Sequence, residues 1–295
     1  MTAASAIVVN ALSKAYGGHQ AVRGLTFSVR RGEVFGLLGP NGAGKTTTVE
    51  ILEGHRRRDG GEVSVLGFDP GERAAELRGR VGIVLQACGT YPHLTVRETL
   101  AHFAAMYPAP RGVAETITLA GLEETADRRA RLLSGGQQRR LDFALALIGD
   151  PELIFLDEPT TGFDPAARRA AWDVVRALRD LGKTVLLTTH YLDEAEALAD
   201  RVAIVKDGRI LALGPPQELI AGATRYRVAY RDGAGRLVEH ETEDPTALLQ
   251  ELTAAALARG ERLEELSVSR PSLEDVYLEL TAAAGIEAPA PVIAA

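Results

Sequence analysis

The sequence contains very little cysteine, little lysine and no long apolar run. Cys88 is its one cysteine, which excludes an internal disulfide bond and fits a reducing cytosol. No apolar stretch approaches the roughly 20 residues that a membrane-spanning helix needs. Residues 1–6 lack the basic and apolar regions of a secretion signal. We therefore expect a cytosolic chain that does not itself cross a membrane.

An excess of basic residues is also missing. The net charge is −7, which argues against a general nucleic-acid binder, because such proteins usually present a basic face. The run Arg56-Arg57-Arg58 is then best interpreted as a solvated loop. Of the 33 basic residues only four are lysines, and one of these, Lys45, stands in a glycine-rich turn.

Short apolar strands alternate with helix-like segments over most of the chain. The apolar runs typical of buried strands are Val34–Leu38, Val81–Leu85, Leu153–Leu156, Thr184–Thr188 and Arg201–Val205. Helix-like segments at 166–181 and 192–199 separate the later strands. Strands that alternate with helices predict an α/β fold, with a mostly parallel sheet covered on both faces.

Two regions differ from this alternation. Ala6–Asn10 and Leu25–Arg30 alternate like half-exposed strands. From about residue 90 to residue 150 the pattern is helical with little strand signal, which predicts a helical insertion into the sheet. Within it, Thr95 and Glu98 have the spacing of a capping box at a helix start.

The pattern changes again near Gly222. Tyr226–Tyr230 and Leu237–Thr242 alternate around an Arg-Asp-Gly sequence, which predicts a β-hairpin. A helix, a strand and a helix are predicted after it, at Pro245–Ala258, Leu263–Ser269 and Ser272–Ala283. We therefore divide the chain into a large domain at 1–222, a small α+β domain at 223–284 and a disordered tail at 285–295.

The first glycine-rich turn, Gly39-Pro40-Asn41-Gly42-Ala43-Gly44-Lys45-Thr46, fits the phosphate-binding pattern G-x-x-x-x-G-K-[ST]. It lies between a predicted strand and a predicted helix, which is the context that this motif requires. Its glycines let backbone N–H groups converge on phosphate oxygens, and the helix start adds a favourable dipole. Lys45 is expected to reach the β- and γ-phosphates, and the Thr46 hydroxyl to bind Mg²⁺.

Two acidic residues follow the apolar run Leu153–Leu156. Asp157 is expected at the carboxyl edge of the sheet, where parallel sheets bind their ligands and where it could hold Mg²⁺. Glu158 is a candidate to orient or deprotonate the attacking water. Taken alone, the pair would be a solvated strand end, and the phosphate-binding turn favours the functional interpretation.

A second glycine turn, Leu133-Ser134-Gly135-Gly136-Gln137, lies far along the chain. Ser134 and Gln137 have the spacing of a capping box, so this turn could merely begin a helix. A capped helix start with two glycines is also a site for anions, and both interpretations can hold. One nucleotide needs one cradle, so a second cradle suggests a site that another molecule completes.

Residues 6–220 resemble the ATP-binding cassette (ABC) ATPase family. The resemblance includes the phosphate turn, the signature L-S-G-G-Q and the L-I-F-L-D-E segment at 153–158. It also includes the Q-loop glutamine Gln86, the D-loop at 162–165 with Phe163 in place of the commoner leucine, the switch histidine His190, and Tyr16 as the aromatic that stacks on adenine. The resemblance implies a P-loop ATPase fold with an antiparallel β subdomain and a helical subdomain beside the parallel core.

The resemblance also implies roles for individual residues. Catalysis would depend on Lys45, Gln86, Glu158 and His190. The residues implied in binding the chain's own ATP are Tyr16, Gly39, Pro40, Asn41, Gly42, Ala43, Gly44, Lys45, Thr46 and Thr47. Mg²⁺ would be held by Thr46, Gln86 and Asp157. Ser134, Gly135, Gly136 and Gln137 would contact ATP bound to a second copy, and Asp164 would face that dimer interface.

The family assembles with partners, and the resemblance implies the same for this chain. Two copies of the chain would form a head-to-tail dimer. This dimer would bind separate membrane permease subunits at the inner face of the cell membrane. Residues 270–281 resemble the end of daunorubicin-resistance-type drug exporter ATPases, which pair with ABC-2-class permeases. This resemblance suggests that the transported substrates are drugs or other hydrophobic compounds. The alternative is a soluble ABC ATPase of the translation or repair type. Translation types usually fuse two cassettes, and repair types carry long coiled coils, neither of which is present in the sequence.

Overall fold

The computed structural model describes residues 5–72, 75–84, 91–222 and 226–283. Gln86, Cys88 and the predicted tail at 285–295 lie outside these ranges. The described part divides into two compact units, one ending at Leu213 and one beginning at Gly214. Within it, no helix combines the length and the apolar character that crossing a bilayer requires.

The core of the first unit is a six-stranded sheet. In spatial order its strands are β5 (Val81–Val84), β6 (Leu153–Asp157), β7 (Thr184–Thr189), β3 (Val34–Leu38), β8 (Arg201–Lys206) and β9 (Arg209–Gly214). Pairing from β5 through β8 is parallel, as predicted. Because β3 stands between β7 and β8, the turn that follows it lies at the middle of the carboxyl edge.

A three-stranded antiparallel sheet belongs to the same unit. Its order is β2 (His19–Arg30), β1 (Ser5–Tyr16) and β4 (Gly60–Val65). The first two strands are longer than the sequence pattern predicts, because Gly17 and Gly18, both at positive φ, close a tight turn and pairing continues up to it. β4 is not predicted, since its Gly-Gly start hides the alternation.

Helices cover both faces of the core sheet. On one face, a cluster of buried side chains joins β3 to the antiparallel sheet and to α1 (Lys45–Leu52), with Phe27 and Phe35 stacked at 5.4 Å between ring centroids. On the other face, side chains of α5 (Gly135–Leu147), α6 (Pro165–Asp180) and α7 (Leu192–Leu198) pack on β6 and β7. A short helix, α2 (Ala75–Arg78), precedes β5.

The predicted helical insertion is confirmed. It comprises α3 (Val96–Ala104), α4 (Val113–Leu119) and α5, which share a core of their own. Thr95 and Glu98 form the predicted capping box at the start of α3, and Ser134 and Gln137 form the one at the start of α5. Both helix starts therefore have the reciprocal hydrogen bonds that their sequences predict.

The second unit contains a separate antiparallel sheet. Its elements are α8 (Pro216–Gly222), β10 (Tyr226–Arg231), β11 (Leu237–Thr242), α9 (Pro245–Ala258), β12 (Glu264–Ser269) and α10 (Leu273–Ala283). The sheet order is β11-β10-β12, and β10 with β11 forms the predicted hairpin. Val228, Ala256 and Leu273 are buried at its centre. Because α8 packs on α10, this unit begins before the boundary predicted near Gly222.

Candidate nucleotide site

The turn after β3 needs glycine at two points where another backbone segment passes close by. At Gly39 a Cβ atom would lie 2.1 Å from the carbonyl oxygen of Val205. At Gly44, where φ is +98°, it would lie 2.4 Å from the carbonyl oxygen of Ala21. Neither position can hold a side chain without moving its neighbour. The motif spacing seen in the sequence is therefore also a packing requirement of the turn.

Lys45 is the first residue of α1, and its side chain is buried. Its ammonium donates hydrogen bonds to the carbonyl oxygens of Gly39 at 2.7 Å and Pro40 at 3.3 Å. Burial lowers the pKa of Lys45, whereas the carboxylates of Glu158 and Asp157 act in the opposite direction. The ammonium thus lies over the turn with little solvation, where a phosphate group could replace its carbonyl partners.

Asp157 and Glu158 lie at the carboxyl end of β6, as the sequence predicts. Asp157 Oδ1 accepts a hydrogen bond of 2.5 Å from the Thr188 hydroxyl on the neighbouring strand. Glu158 has φ +45°, an uncommon conformation for a residue other than glycine. Its N–H group donates to Thr188 Oγ1 at 3.0 Å and to the Thr188 carbonyl at 3.1 Å. Thr188 therefore fixes the turn in which the two carboxylates diverge.

The Glu158 carboxylate lies between three side chains from different elements. Its Oε1 atom is 3.5 Å from Lys45 Nζ and 3.4 Å from His190 Nδ1. Its Oε2 atom accepts a hydrogen bond of 3.2 Å from the Thr161 hydroxyl. The His190 contact is not aligned as a hydrogen bond, so buried Nδ1 has no such partner among the described residues. The structure thus brings together Lys45, Glu158 and His190, which are far apart in the sequence.

A cleft of about 510 Å³ opens beside this group. Its lining residues are Tyr16, His19, Ala21, Asn41, Gly42, Gly44, Lys45, Thr46, Thr47 and Glu158. Tyr16 is 38% exposed, with the Arg56 guanidinium 5.2 Å and the Lys14 ammonium 5.6 Å from its ring centroid. Arg56 is held by Glu50, and Lys14 by Asp59. Part of the predicted solvated arginine loop therefore supports the aromatic ring of the cleft.

The second glycine turn lines a different cleft. Ser134, Gly136 and Gln137 lie there with side chains of α5 and α6, and with Phe163 from the segment before α6. Ser134, Gly135 and Gly136 are exposed. None of the signature residues lines the cleft that holds Lys45 and Glu158. Within one chain, the two phosphate-type turns are therefore separate, as a composite site would require.

Two further residues of the predicted site are Asp164 and Gln86. Asp164 is exposed and its Oδ1 accepts a hydrogen bond of 2.8 Å from the Ala167 N–H at the start of α6. This bond gives it a local capping role, and its predicted place at a dimer interface stays a prediction. Gln86 lies outside the described residues, so its predicted role also stays a prediction.

Sequence reasoning missed three buried polar residues near the site. Thr188 holds the Asp157 carboxylate and the Glu158 backbone N–H, as described above. Arg139, in α5, donates a hydrogen bond of 3.3 Å from Nε to the carbonyl oxygen of Pro159, directly after Glu158. The Glu53 side chain, at the end of α1, is only 4% exposed, and burial, Asp157 and Glu50 together raise its pKa to about 8. No local pattern marks such residues, because their partners come from distant segments.

The comparisons with known proteins agree with this geometry. A profile of the ABC transporter family matches residues 22–161. The chain is 42% identical to the Nod factor export ATP-binding protein I of Burkholderia orbicola, over 92% of this chain and 95% of that protein. It is 40% identical to the daunorubicin/doxorubicin resistance ATP-binding protein DrrA of Streptomyces peucetius, over 94% of this chain and 92% of that protein.

Solved structures match the first unit in size and fold. CbiO1 from Clostridium perfringens, part of the ABC transporter complex cbiONQ, is 26% identical with a TM-score of 0.66, covering 74% of this chain and 92% of that chain. A dimeric ATP-binding cassette in a post-hydrolysis state, bound to ADP and Pi, is 26% identical with a TM-score of 0.62, covering 71% and 98%. The chain therefore belongs to the ABC transporter family, as an ATP-binding ATPase subunit.

Proposed function

We propose that this chain hydrolyses ATP bound to the turn at 39–47 and thereby drives export of a hydrophobic compound through a separate membrane permease. The observation that carries the proposal is the convergence of Lys45, Glu158 and His190 beside one cleft, with contacts of 3.5 and 3.4 Å to the Glu158 carboxylate. The relatives named above, for Nod factor export and drug resistance, support export of such compounds.

ATP is proposed to lie along the cleft from Tyr16 to Lys45. Adenine would stack on the exposed Tyr16 ring. The other residues that line the cleft are mostly polar. The triphosphate would lie on the backbone N–H groups of residues 39–47, at the start of α1. Lys45 would exchange its carbonyl partners Gly39 and Pro40 for phosphate oxygens, which are stronger acceptors for a charged donor.

The residues at the edge of the cleft fit Mg²⁺. Thr46 is exposed at the start of α1, and Asp157 offers a second oxygen ligand, directly or through water. Among the residues with a described placement, no group of three His, Cys, Asp or Glu side chains could hold a metal unaided. Mg²⁺ suits such a site, because it takes few protein ligands and shares the substrate phosphates. When bound, it would neutralise charge on the β- and γ-phosphates.

Glu158 is proposed as the general base, with His190 as a contact of the γ-phosphate. The Glu158 carboxylate lies 3.5 Å from the Lys45 ammonium and 3.4 Å from His190 Nδ1. Once phosphate oxygens engage those two groups, the carboxylate can accept a proton from a water molecule aligned with the γ-phosphate. The Thr161 hydroxyl and the Thr188 hydrogen bonds hold the residue in place for that step. Gln86 is proposed to sense Mg²⁺ or that water.

A head-to-tail dimer is proposed as the active form. Ser134, Gly135, Gly136 and Gln137 would bind the γ-phosphate of ATP held by a second copy, and Asp164 would lie in the interface. The separation of the two clefts within one chain supports this arrangement. So does the fold shared with a cassette solved as a dimer with ADP and Pi.

The permease and the location follow from the same proposal. A chain of this type would lie on the cytoplasmic face of the cell membrane and transmit its closure to separate permease subunits. The fold shared with a subunit of the cbiONQ transporter complex supports such an attachment. We assign nucleotide binding to residues 1–222, with the helical subdomain at about 90–150, and an accessory role to the α+β domain at 223–284.

The test is the variant Glu158→Gln, which removes the base while retaining size and polarity. We expect hydrolysis to fall by about a hundredfold or more, because general-base catalysis contributes that much. ATP binding should persist, and with ATP and Mg²⁺ the variant should elute as a dimer in size-exclusion chromatography. The control is Glu196→Gln, an exposed residue of α7. Hydrolysis at the wild-type rate by Glu158→Gln would disprove the assigned role.

A further inference from the structure

Glu194 is a carboxylic acid with no exposed surface, in the first turn of α7. Its Oε1 atom accepts a hydrogen bond of 3.1 Å from the indole N–H of Trp172 in α6. Burying a carboxyl group is costly unless polar groups surround it, so an acid at this position needs a reason beyond packing. An apolar side chain would fill the same space at lower cost.

Two threonine side chains, Thr189 and Thr160, are also neighbours of this carboxyl group. Burial raises the pKa of Glu194, and its hydrogen-bonding neighbours Thr189, Thr160 and Trp172 act against that rise. Thr189 and Thr160 are each 1% exposed. Glu194 therefore lies where α6, α7, the end of β7 and the segment after β6 meet.

Each threonine is next to a residue of the nucleotide site. Thr189 ends β7 directly before His190, and its hydroxyl accepts a hydrogen bond of 2.9 Å from the Tyr191 N–H. Thr160 lies two residues after Glu158. The N–H group of the following residue, Thr161, donates a hydrogen bond of 3.3 Å to the Glu158 carbonyl oxygen, which closes the turn. A group that holds both threonines thus sets the relative position of Glu158 and His190.

The contact between Glu194 and Thr160 is incomplete. Glu194 Oε2 and Thr160 Oγ1 are both buried, and neither makes a well-aligned hydrogen bond to any residue in the described ranges. Buried polar groups are seldom left in this way, and a small movement of the turn would allow the hydroxyl to donate to the carboxylate. The turn after Glu158 thus carries a buried hydroxyl that has no aligned acceptor among the described residues.

We propose that Glu194 is a positioning residue for ATP hydrolysis, which holds Thr160 and Thr189 so that Glu158 and His190 face the same point of the nucleotide. This inference rests on the proposed roles of Glu158 and His190. Glu194 itself touches neither the nucleotide cleft nor a residue of the glycine turns among the contacts described above.

The test compares Glu194→Ala and Glu194→Gln with Glu196→Ala, a matched exposed position on the same helix. We expect Glu194→Ala to lower kcat about tenfold to a hundredfold, the usual result of misplacing a catalytic group, while the Kd for ATP stays unchanged. Glu194→Gln should recover most of the rate, because its amide can still accept from Trp172 and pair with a threonine. Glu196→Ala should match wild type.

A second variant separates positioning from simple stabilisation. Thr160→Val retains the shape of the side chain and removes a hydroxyl that is unpaired here. A purely structural role predicts an unchanged kcat and an unchanged or higher Tm, since an orphaned polar atom is removed. Our proposal predicts a lower kcat at that same Tm. Thr160→Val decides between the two roles even when Glu194→Ala does not fold.

Glu158→Gln is measured in the same series. Retained hydrolysis in that variant would overturn the proposed function itself. Loss of hydrolysis in Glu158→Gln, with wild-type kcat in Thr160→Val and only a lower Tm in Glu194→Ala, would overturn the positioning role alone. A lower kcat in Thr160→Val at unchanged Tm supports it.

Discussion

At the scale of single residues, Glu53 shows how burial changes an acid near the site. Its side chain is 4% exposed, and its Oε2 atom lies 3.2 Å from His55 Nδ1. Burial first, and then the charges of Asp157 and Glu50, raise its pKa to about 8. Glu53 is therefore largely protonated at neutral pH, and its carboxyl O–H can donate a hydrogen bond to His55 Nδ1.

This raised pKa predicts a pH-dependent stability. Between the ordinary pKa of 4.5 and about 8, the folded chain retains a proton that the unfolded carboxyl group releases. The free energy of unfolding should therefore be highest at low pH within this window and fall as pH rises toward 8. Glu53→Gln should remove this contribution, which is on the order of a few kcal/mol at most.

Urea unfolding of both proteins at several pH values between 5 and 8, without nucleotide or Mg²⁺, measures this difference. The control is Glu62→Gln, because Glu62 is exposed in β4. Wild type and Glu53→Gln should diverge as the pH rises, whereas wild type and Glu62→Gln should run parallel. Parallel curves for all three proteins would contradict a raised pKa for Glu53.

At the scale of elements, α5 joins the signature turn to the segment that follows β6 in the same chain. Its first residues follow the capped signature turn, and Arg139, one turn further, donates to the Pro159 carbonyl after Glu158. Arg139 is 7% exposed, lies 3.7 Å from Asp142 and stacks over Phe143 at 5.8 Å. In the proposed dimer, α5 would contact the ATP bound to the partner. The same helix is hydrogen-bonded to the segment after β6, whose Glu158 would act on the ATP bound to its own chain.

Arg139→Met should weaken this connection while retaining an apolar side chain of similar length. The Pro159 carbonyl loses a charged donor, so we expect about 1.5–3 kcal/mol of lost stability in urea unfolding. The rate of ATP hydrolysis should fall as well, since the turn carrying Glu158 is less constrained. Arg131→Met, at an exposed position, should change the stability by no more than about 0.5 kcal/mol. Equal effects of the two variants would argue against the buried link.

At the scale of the whole molecule, each chain offers two incomplete halves of an ATP site. The cleft with Lys45 and Glu158 contains no signature residue, and the cleft with Ser134 and Gly136 contains no residue of the phosphate turn. A head-to-tail dimer would bring one half of each kind together twice. We therefore expect an isolated monomer to hydrolyse ATP very slowly.

Mixing two damaged variants tests this arrangement. Ser134→Arg alters the signature, and Lys45→Ala alters the phosphate turn, so each variant alone should be inactive. In a mixed dimer one site combines two intact halves, and ATPase assays of the mixture should show activity above either variant alone. A mixture of Lys45→Ala with Glu158→Gln is the control, because both changes damage the same half. No gain in the first mixture over the control would contradict the composite site.

The sequence alone determined the parts of this protein that depend on local chemistry. The phosphate turn could be predicted because glycines are required where Val205 and Ala21 pass, and Lys45 and Thr46 follow at a set spacing. The capping boxes, the buried strands and the C-terminal hairpin were predictable for the same reason: neighbours in the chain form them. Two strands were not, since β4 begins with two glycines and β9 lacks a clear alternation.

Only the tertiary structure decided which distant residues meet. Lys45, Glu158 and His190 converge because β3, β6 and β7 end at one edge of the core sheet. Arg139, Glu53 and Glu194 carry no sequence signature, because a buried charge is recognised by its partners, which come from other elements. Local sequence encodes turns and caps through hydrogen bonds between near neighbours, whereas burial and long-range pairing exist only once the sheet and its helices have packed.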